Sequence, residues 1–132
     1  MAELIVLDAS TIIAYLDATD AHHQRAVTVL SREVDDEFVA NPLTIAEVLV
    51  GPARRGRLDQ AREALKALGV VELPFPADSS LQLARLRSET GLRMPDCCVL
   101  LAAEQGLGAR LATFDRRLAQ AAAHRGVTVV TD

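Results

Sequence analysis

Residues 4–11, LIVLDAST, decide how the rest of the chain reads: four apolar residues in a row end on a carboxylate and give way at once to small and hydroxylic residues. Successive side chains of a strand point to opposite faces, so an unbroken apolar run suits a strand covered on both sides, as in a parallel sheet between helical layers. Asp8 or Ser10 then caps a helix whose apolar face is Ile12, Ile13, Tyr15 and Leu16, and residues 17–20 break the pattern. The same alternation continues along the chain. A second helix is expected over 21–34 with Ala26, Val27, Val29 and Leu30 inward, followed by a short strand at 37–40. Asn41 and Pro42 start a helix carrying Leu43, Ile45, Ala46, Val48 and Leu49, weakened at Gly51 and Pro52. Next come a helix over 58–68 stopped by Gly69, a strand at 70–73, a helix over 77–89 ended by Gly91, and a helix from Pro95 to about 105. A strand at 110–113, a helix over 115–124 and a strand at 127–130 complete the order. This order predicts a three-layer α/β/α fold with a mainly parallel central sheet, as one domain over 1–132.

The composition bounds the function classes. A chain of 132 residues buries roughly two thirds of its unfolded surface, so neither disulfides nor a structural metal is needed to hold it together. No apolar run approaches the roughly 20 residues that span a bilayer, and the first residues lack the basic stretch and cleavage site of a secretory signal. A cytoplasmic protein with no membrane partner is expected. Cys97 and Cys98 are sequence neighbours and cannot staple distant segments; they read as small apolar residues of a buried helix. The formal charge of −4 argues against nucleic acid unless some acids hold cations. All but one of the 14 basic residues are Arg, the side chain suited to bidentate phosphate contact. At 3% aromatic, the chain offers little for base stacking, so contact with nucleic acid is expected mainly along the backbone.

Four acids stand in telling places. Asp8 ends the first strand, at the edge where open parallel sheets bind ligands; it also has an ordinary use as a helix cap. Glu47 is the one charge in LTIAEVLV and lies either on the helix's exposed edge or in a polar pocket. Asp96 opens the helix PDCCVLLAA, where the helix dipole alone suffices to favour a carboxylate. Asp115, in LATFDRRL, again stands between a strand and a helix. Converging at one edge, four such acids would repel one another and lose stability unless divalent cations compensate them. Oxygen-only donors select hard ions, and Mg²⁺ or Mn²⁺ bridging carboxylates to phosphate supports phosphodiester hydrolysis.

The segments LIVLDAST, PLTIAEVL, RMPDCCVLLAA and LATFDRRLA, in that order, resemble the PIN-domain family, and within it the VapC-type toxins of bacterial toxin–antitoxin pairs. The resemblance covers almost the whole chain. It implies a metal-dependent endoribonuclease that cuts structured RNA, such as transfer or ribosomal RNA, and inhibits translation. By the same resemblance Asp8, Glu47, Asp96 and Asp115 form the acidic metal set for Mg²⁺ or Mn²⁺, Asp8 and Asp96 being the direct ligands, while Ser10 and Thr113 orient a carboxylate or water. It further implies a homodimer silenced by a VapB-type antitoxin in a toxin–antitoxin hetero-oligomer. The chain departs from the family pattern at Cys97 and Cys98, where small residues such as Ala are more usual, and at Leu118, often aromatic. Two Mg²⁺ ions would cancel the formal −4 at the groove itself. Arg54, Arg55, Arg57, Arg93, Arg116 and Arg117 are then candidates for RNA phosphate contacts.

His22, His23 and His124 lack the spacing of a zinc site. Two rival readings stand beside the nuclease. One is a phosphatase or phosphotransferase attacking through Asp8, which resembles the haloacid-dehalogenase pattern of strand-D-x-D except that Ser10 takes the second position. The other is a non-catalytic module that keeps the fold for partner contact.

Overall fold

In the computed structural model, which describes residues 3–33, 35–106 and 108–130, strands and helices alternate as the apolar runs predict. In order they are β1 (Leu4–Leu7), α1 (Ala9–Leu16), α2 (His23–Arg32), β2 (Glu37–Ala40), α3 (Pro42–Arg54) and α4 (Leu58–Leu68). They continue with β3 (Val70–Glu72), α5 (Ser79–Thr90), α6 (Met94–Gln105), β4 (Arg110–Ala112), α7 (Arg116–His124) and β5 (Thr128–Val130). The expected end of the second helix at Val34 lies outside the described residues. All strand pairings described are parallel, in the order β3-β2-β1-β4-β5.

The central strand shows why its sequence is apolar throughout. Ile5 and Leu7 face one core, with Ile12, Val29, Leu30, Val48 and Leu65 from α1 to α4. Val6 faces the other, with Leu86, Leu100, Leu118 and Ala122 from α5 to α7. All three β1 side chains are fully buried, each worth roughly 1.5–3 kcal/mol of transfer free energy. Two layers of helices thus sandwich the sheet, completing the three-layer α/β/α fold.

Departures from the expected boundaries have local causes. Helix α3 runs through Pro52 to Arg54. Pro52 offers no N–H, but only the last turn lies beyond it, and burial of Thr44 and Val48 holds the preceding turns against the core. Strand β4 stops at Ala112, one residue early, and the Thr113 hydroxyl just beyond it is engaged by Asp8 and by the amide of Asp115. Helices α4 and α5 end where expected, at Gly69 and Gly91, whose φ values of 86° and 69° are left-handed and suit glycine.

The topology locates a crevice. From β1 the chain winds outward through β2 and β3, then returns to the other side of β1 for β4 and β5. The winding direction reverses between β1 and β4, and in open parallel sheets ligands bind beyond the carboxyl ends of strands flanking such a reversal.

Candidate active site

Asp8 follows β1 at this reversal and is buried, 5% exposed. It caps α1 by accepting the Thr11 amide at 2.9 Å. The Ser10 hydroxyl lies 2.8 and 2.9 Å from its two oxygens, and the Thr11 hydroxyl 2.8 Å from one of them. The Thr113 hydroxyl, reaching across from β4, donates to the other oxygen. Since Thr113 Oγ1 also accepts the Asp115 amide at 3.0 Å, a continuous thread of hydrogen bonds joins the ends of β1 and β4. Thr11 adds a second link, lying 3.0 Å from the carbonyl of Ala112; with one hydroxyl proton it serves Asp8 or Ala112 at any moment. Ser10 and Thr113 were expected here. Thr11 was missed, although a hydroxyl on the buried side of a helix just after its capping acid was available as a signal.

The other three acids approach from three different elements. Asp115 caps α7 through the Leu118 amide at 3.1 Å, so the bland use of a carboxylate at this junction is also realised. Asp96 lies in the first turn of α6, after Pro95, with its side chain 17% exposed. Its nearest cation is Arg93, 3.9 Å away on a side chain 76% exposed, too loose a pairing to compensate it fully. Glu47 stands in the second turn of α3 at the exposed rim.

These acids lie close enough to act on one another electrostatically. Burial pushes the Asp96 carboxyl above its ordinary pKa, and Asp115 and Asp8 push it further, against the opposing pull of Arg93 and Arg117. Glu47 is raised by partial burial first and then by Asp96 and Asp8, with Arg93 opposing. All four sequence candidates are therefore brought to one edge of the sheet. Among the described residues, no three acid, His or Cys side chains are grouped closely enough to enclose an ion. The arrangement is an open set of oxygen donors.

The six arginines separate by position. Arg93 adjoins Asp96, Arg117 acts on it electrostatically, and Arg116 lines a small cavity of about 210 Å³ together with Thr113, Phe114 and Asp115. Arg55 and Arg57 line a cleft of about 600 Å³ that Glu47 shares with Ile13, Leu16 and Val48. Arg54 is exposed at the last turn of α3, about 10 Å of helix beyond Glu47. Cys97 and Cys98 are buried free thiols, both pushed up by desolvation, and they serve as packing on α6.

No curated protein sequence matches the chain significantly. A protein of known crystal structure from Pyrobaculum aerophilum is 27% identical, with 98% of this chain and 84% of that one covered and a TM-score of 0.61. The toxin–antitoxin complex of Klebsiella pneumoniae contains a chain 23% identical, with 96% of each covered and a TM-score of 0.73. VapC20 of Mycobacterium tuberculosis, a toxin that cleaves the sarcin-ricin loop, is 18% identical over 97% of this chain and 99% of its own, with a TM-score of 0.75. At such identities the last two establish a shared fold. The family model for the PIN domain matches residues 5–124, nearly the full length, and the chain belongs to the PIN domain family.

Proposed function

We propose that this protein is an endoribonuclease of the VapC toxin type, dependent on Mg²⁺ or Mn²⁺, that cuts structured RNA and inhibits translation. One observation supports the reading: buried and rim carboxylates from four elements lie within one another's electrostatic reach at the sheet's reversal, and burial and mutual repulsion raise Asp96 and Glu47. A fold spends stability on such an arrangement where function needs it. The donor set fits a hard divalent cation in chemistry, being all oxygen, and fits one that keeps several waters, because the side chains do not close a cage.

In this reading Asp8 and Asp96 are the direct ligands, and Glu47 and Asp115 complete the acidic set. Ser10, Thr11 and Thr113 hold the Asp8 carboxylate in one orientation by donating to it. A bound cation supplies Lewis acidity toward the scissile phosphate and lowers the pKa of water. Arg93, Arg116 and Arg117 hold flanking phosphates, and Arg55 and Arg57 extend the track along the α3–α4 cleft. The phosphatase alternative is disfavoured by Ser10, which takes the place of the second aspartate in the strand-D-x-D pattern.

The solved toxin–antitoxin complexes that share the fold support a partner of the VapB type for this chain, within a hetero-oligomer built on a homodimer. Electrostatics give such a partner a reason to bind, because an uncompensated acidic site attracts a basic side chain. We take residues 1–132 as a single cytoplasmic PIN domain; no described helix is long and apolar enough to cross a membrane.

The test is cleavage of total RNA by purified protein with Mg²⁺ or Mn²⁺, mapped at 5′ ends, with and without EDTA. Asp8→Asn and Asp96→Asn should abolish cutting while the protein stays folded. Cutting that survives both substitutions and EDTA refutes the metal-site reading, and release of inorganic phosphate from small esters would favour the phosphatase. Expression with the neighbouring open reading frame should relieve growth arrest.

A further inference from the structure

The composition argued against a base-stacking platform, yet the fold assembles a small one beside the acidic site from residues far apart in sequence. Phe114 lies between Thr113, which holds Asp8, and Asp115. The ring of His22 stacks on it, centroids 5.1 Å apart and planes inclined by 21°. The Arg25 guanidinium lies 4.8 Å from the Phe114 centroid. Arg25 Nη1 is 3.4 Å from His22 Nδ1. A guanidinium only donates, so Nδ1 accepts in this contact.

Two local features describe how this group is held. His22 occupies the cap position of α2, where Ser, Thr, Asp or Asn would satisfy an amide, but its side chain makes no capping bond. The ring is spent on Phe114 instead, while the residue remains exposed. The platform is also held firmly. The Asp20 carboxylate accepts the His22 amide at 2.8 Å, and the next residue, His23, anchors through Nδ1 to the Ala14 carbonyl at 2.8 Å.

We propose that His22, backed by Phe114 and flanked by Arg25, forms a shelf on which a nucleobase of single-stranded RNA stacks, next to the phosphate held at the acidic site. The shelf deepens the nuclease reading and rests on it. A flat imidazole on a flat phenyl ring offers its outer face to a base of any sequence, and Arg25 supplies positive charge beside it. Loop bases that can be splayed out reach this position, whereas paired bases cannot. The shelf thus favours unpaired segments of structured RNA.

The probe is a short single-stranded oligoribonucleotide carrying one 2-aminopurine, whose fluorescence falls on stacking, bound in Ca²⁺ in place of Mg²⁺. Wild-type protein should quench it, and His22→Ala and Phe114→Leu should bind it roughly five- to a hundredfold more weakly, with the quench lost. The same oligonucleotide with an abasic site at that position should bind wild type and His22→Ala equally. Absence of quenching by wild type overturns the shelf. So does a His22→Ala loss that is equal on intact and abasic RNA, which would make the residue only a cover for Phe114. His22 is exposed, so its variant folds even where Phe114→Leu does not. Quenching by a wild type that fails to cut RNA in Mg²⁺ would sink the nuclease reading and leave the shelf; cutting without quenching would do the reverse.

Discussion

Both edges of the sheet gather acids, and they treat them in opposite ways. At the amino edge Arg110, on β4, reaches Glu3 at 3.0 Å, Glu33 at 2.9 Å and Asp36 at 2.8 Å, joining the starts of β1, β2 and β4. The Glu3 amide also donates to Asp36, and with Glu33 and Arg110 it holds that carboxyl below its ordinary range. At the carboxyl edge Asp96 and Glu47 are pushed up instead, with the loosely placed Arg93 opposing both and Arg117 opposing Asp96. The acids are the same; what differs is whether the fold supplies their cation. At one edge it does, and the cluster clamps the strands. At the other Arg93 and Arg117 offset the charge in part, and the remainder is what the proposed cation would balance.

The sharpest way to break this comparison is to neutralise one acid at each edge. Asp96→Asn should lower RNA cleavage by more than about a hundredfold, exceeding the loss seen when partners behind a metal ligand are removed. The same substitution should raise the melting temperature, because it removes a carboxylate that costs stability when ionised. A variant that melts lower and still cuts would erase the distinction between the edges. Arg110→Met tests the opposite edge: it should destabilise the protein by about 2 kcal/mol in urea unfolding, through loss of hydrogen bonds to charged partners. Cleavage per folded molecule should be unchanged.

A smaller effect is expected at Asp8, which borrows from both patterns: it is buried at the carboxyl edge but satisfied by hydroxyls. Thr11→Val keeps the shape and removes the link to Asp8 and Ala112, and should cost about 1 kcal/mol by urea denaturation. No change in stability would mean that Ser10 and Thr113 suffice. The pH dependence of stability gives the smallest signal and the most direct contrast. Asp36, depressed in the folded state, contributes stability that is present above its unfolded pKa and lost as pH falls through its lower folded pKa. Asp96 and Glu47, raised in the folded state, do the reverse, taking stability away as pH rises from their unfolded pKa through the folded one. Melting curves from acid to neutral pH should therefore show Asp36→Asn flattening the loss on the acid side. Asp96→Asn and Glu47→Gln should flatten the decline above it.

Much of this is legible in the sequence. The run at residues 4–7 announced a strand buried on both faces, and Gly69 and Gly91 announced helix ends, because such signals are local: they depend on side-chain alternation and on which residues tolerate a left-handed turn. Asp8, Glu47, Asp96 and Asp115 stood out singly, each with an adequate bland explanation, and Asp8 and Asp115 do in fact cap helices. Their convergence was not local. It depends on the strand order, which places β4 beside β1 although about a hundred residues separate them.

The sequence by itself determined the elements, their order and the residues of chemical interest, since apolar periodicity and capping act over a few residues of chain. Tertiary structure alone decided which acids share a field, that Thr11 bridges Asp8 to β4, and that Arg110 gathers one acidic cluster while the other is met by a looser Arg93. It also brought His22 onto Phe114. The physical reason is range: coulombic and stacking interactions act over a few ångströms of space, and only the fold converts residues dozens of positions apart into neighbours at that distance.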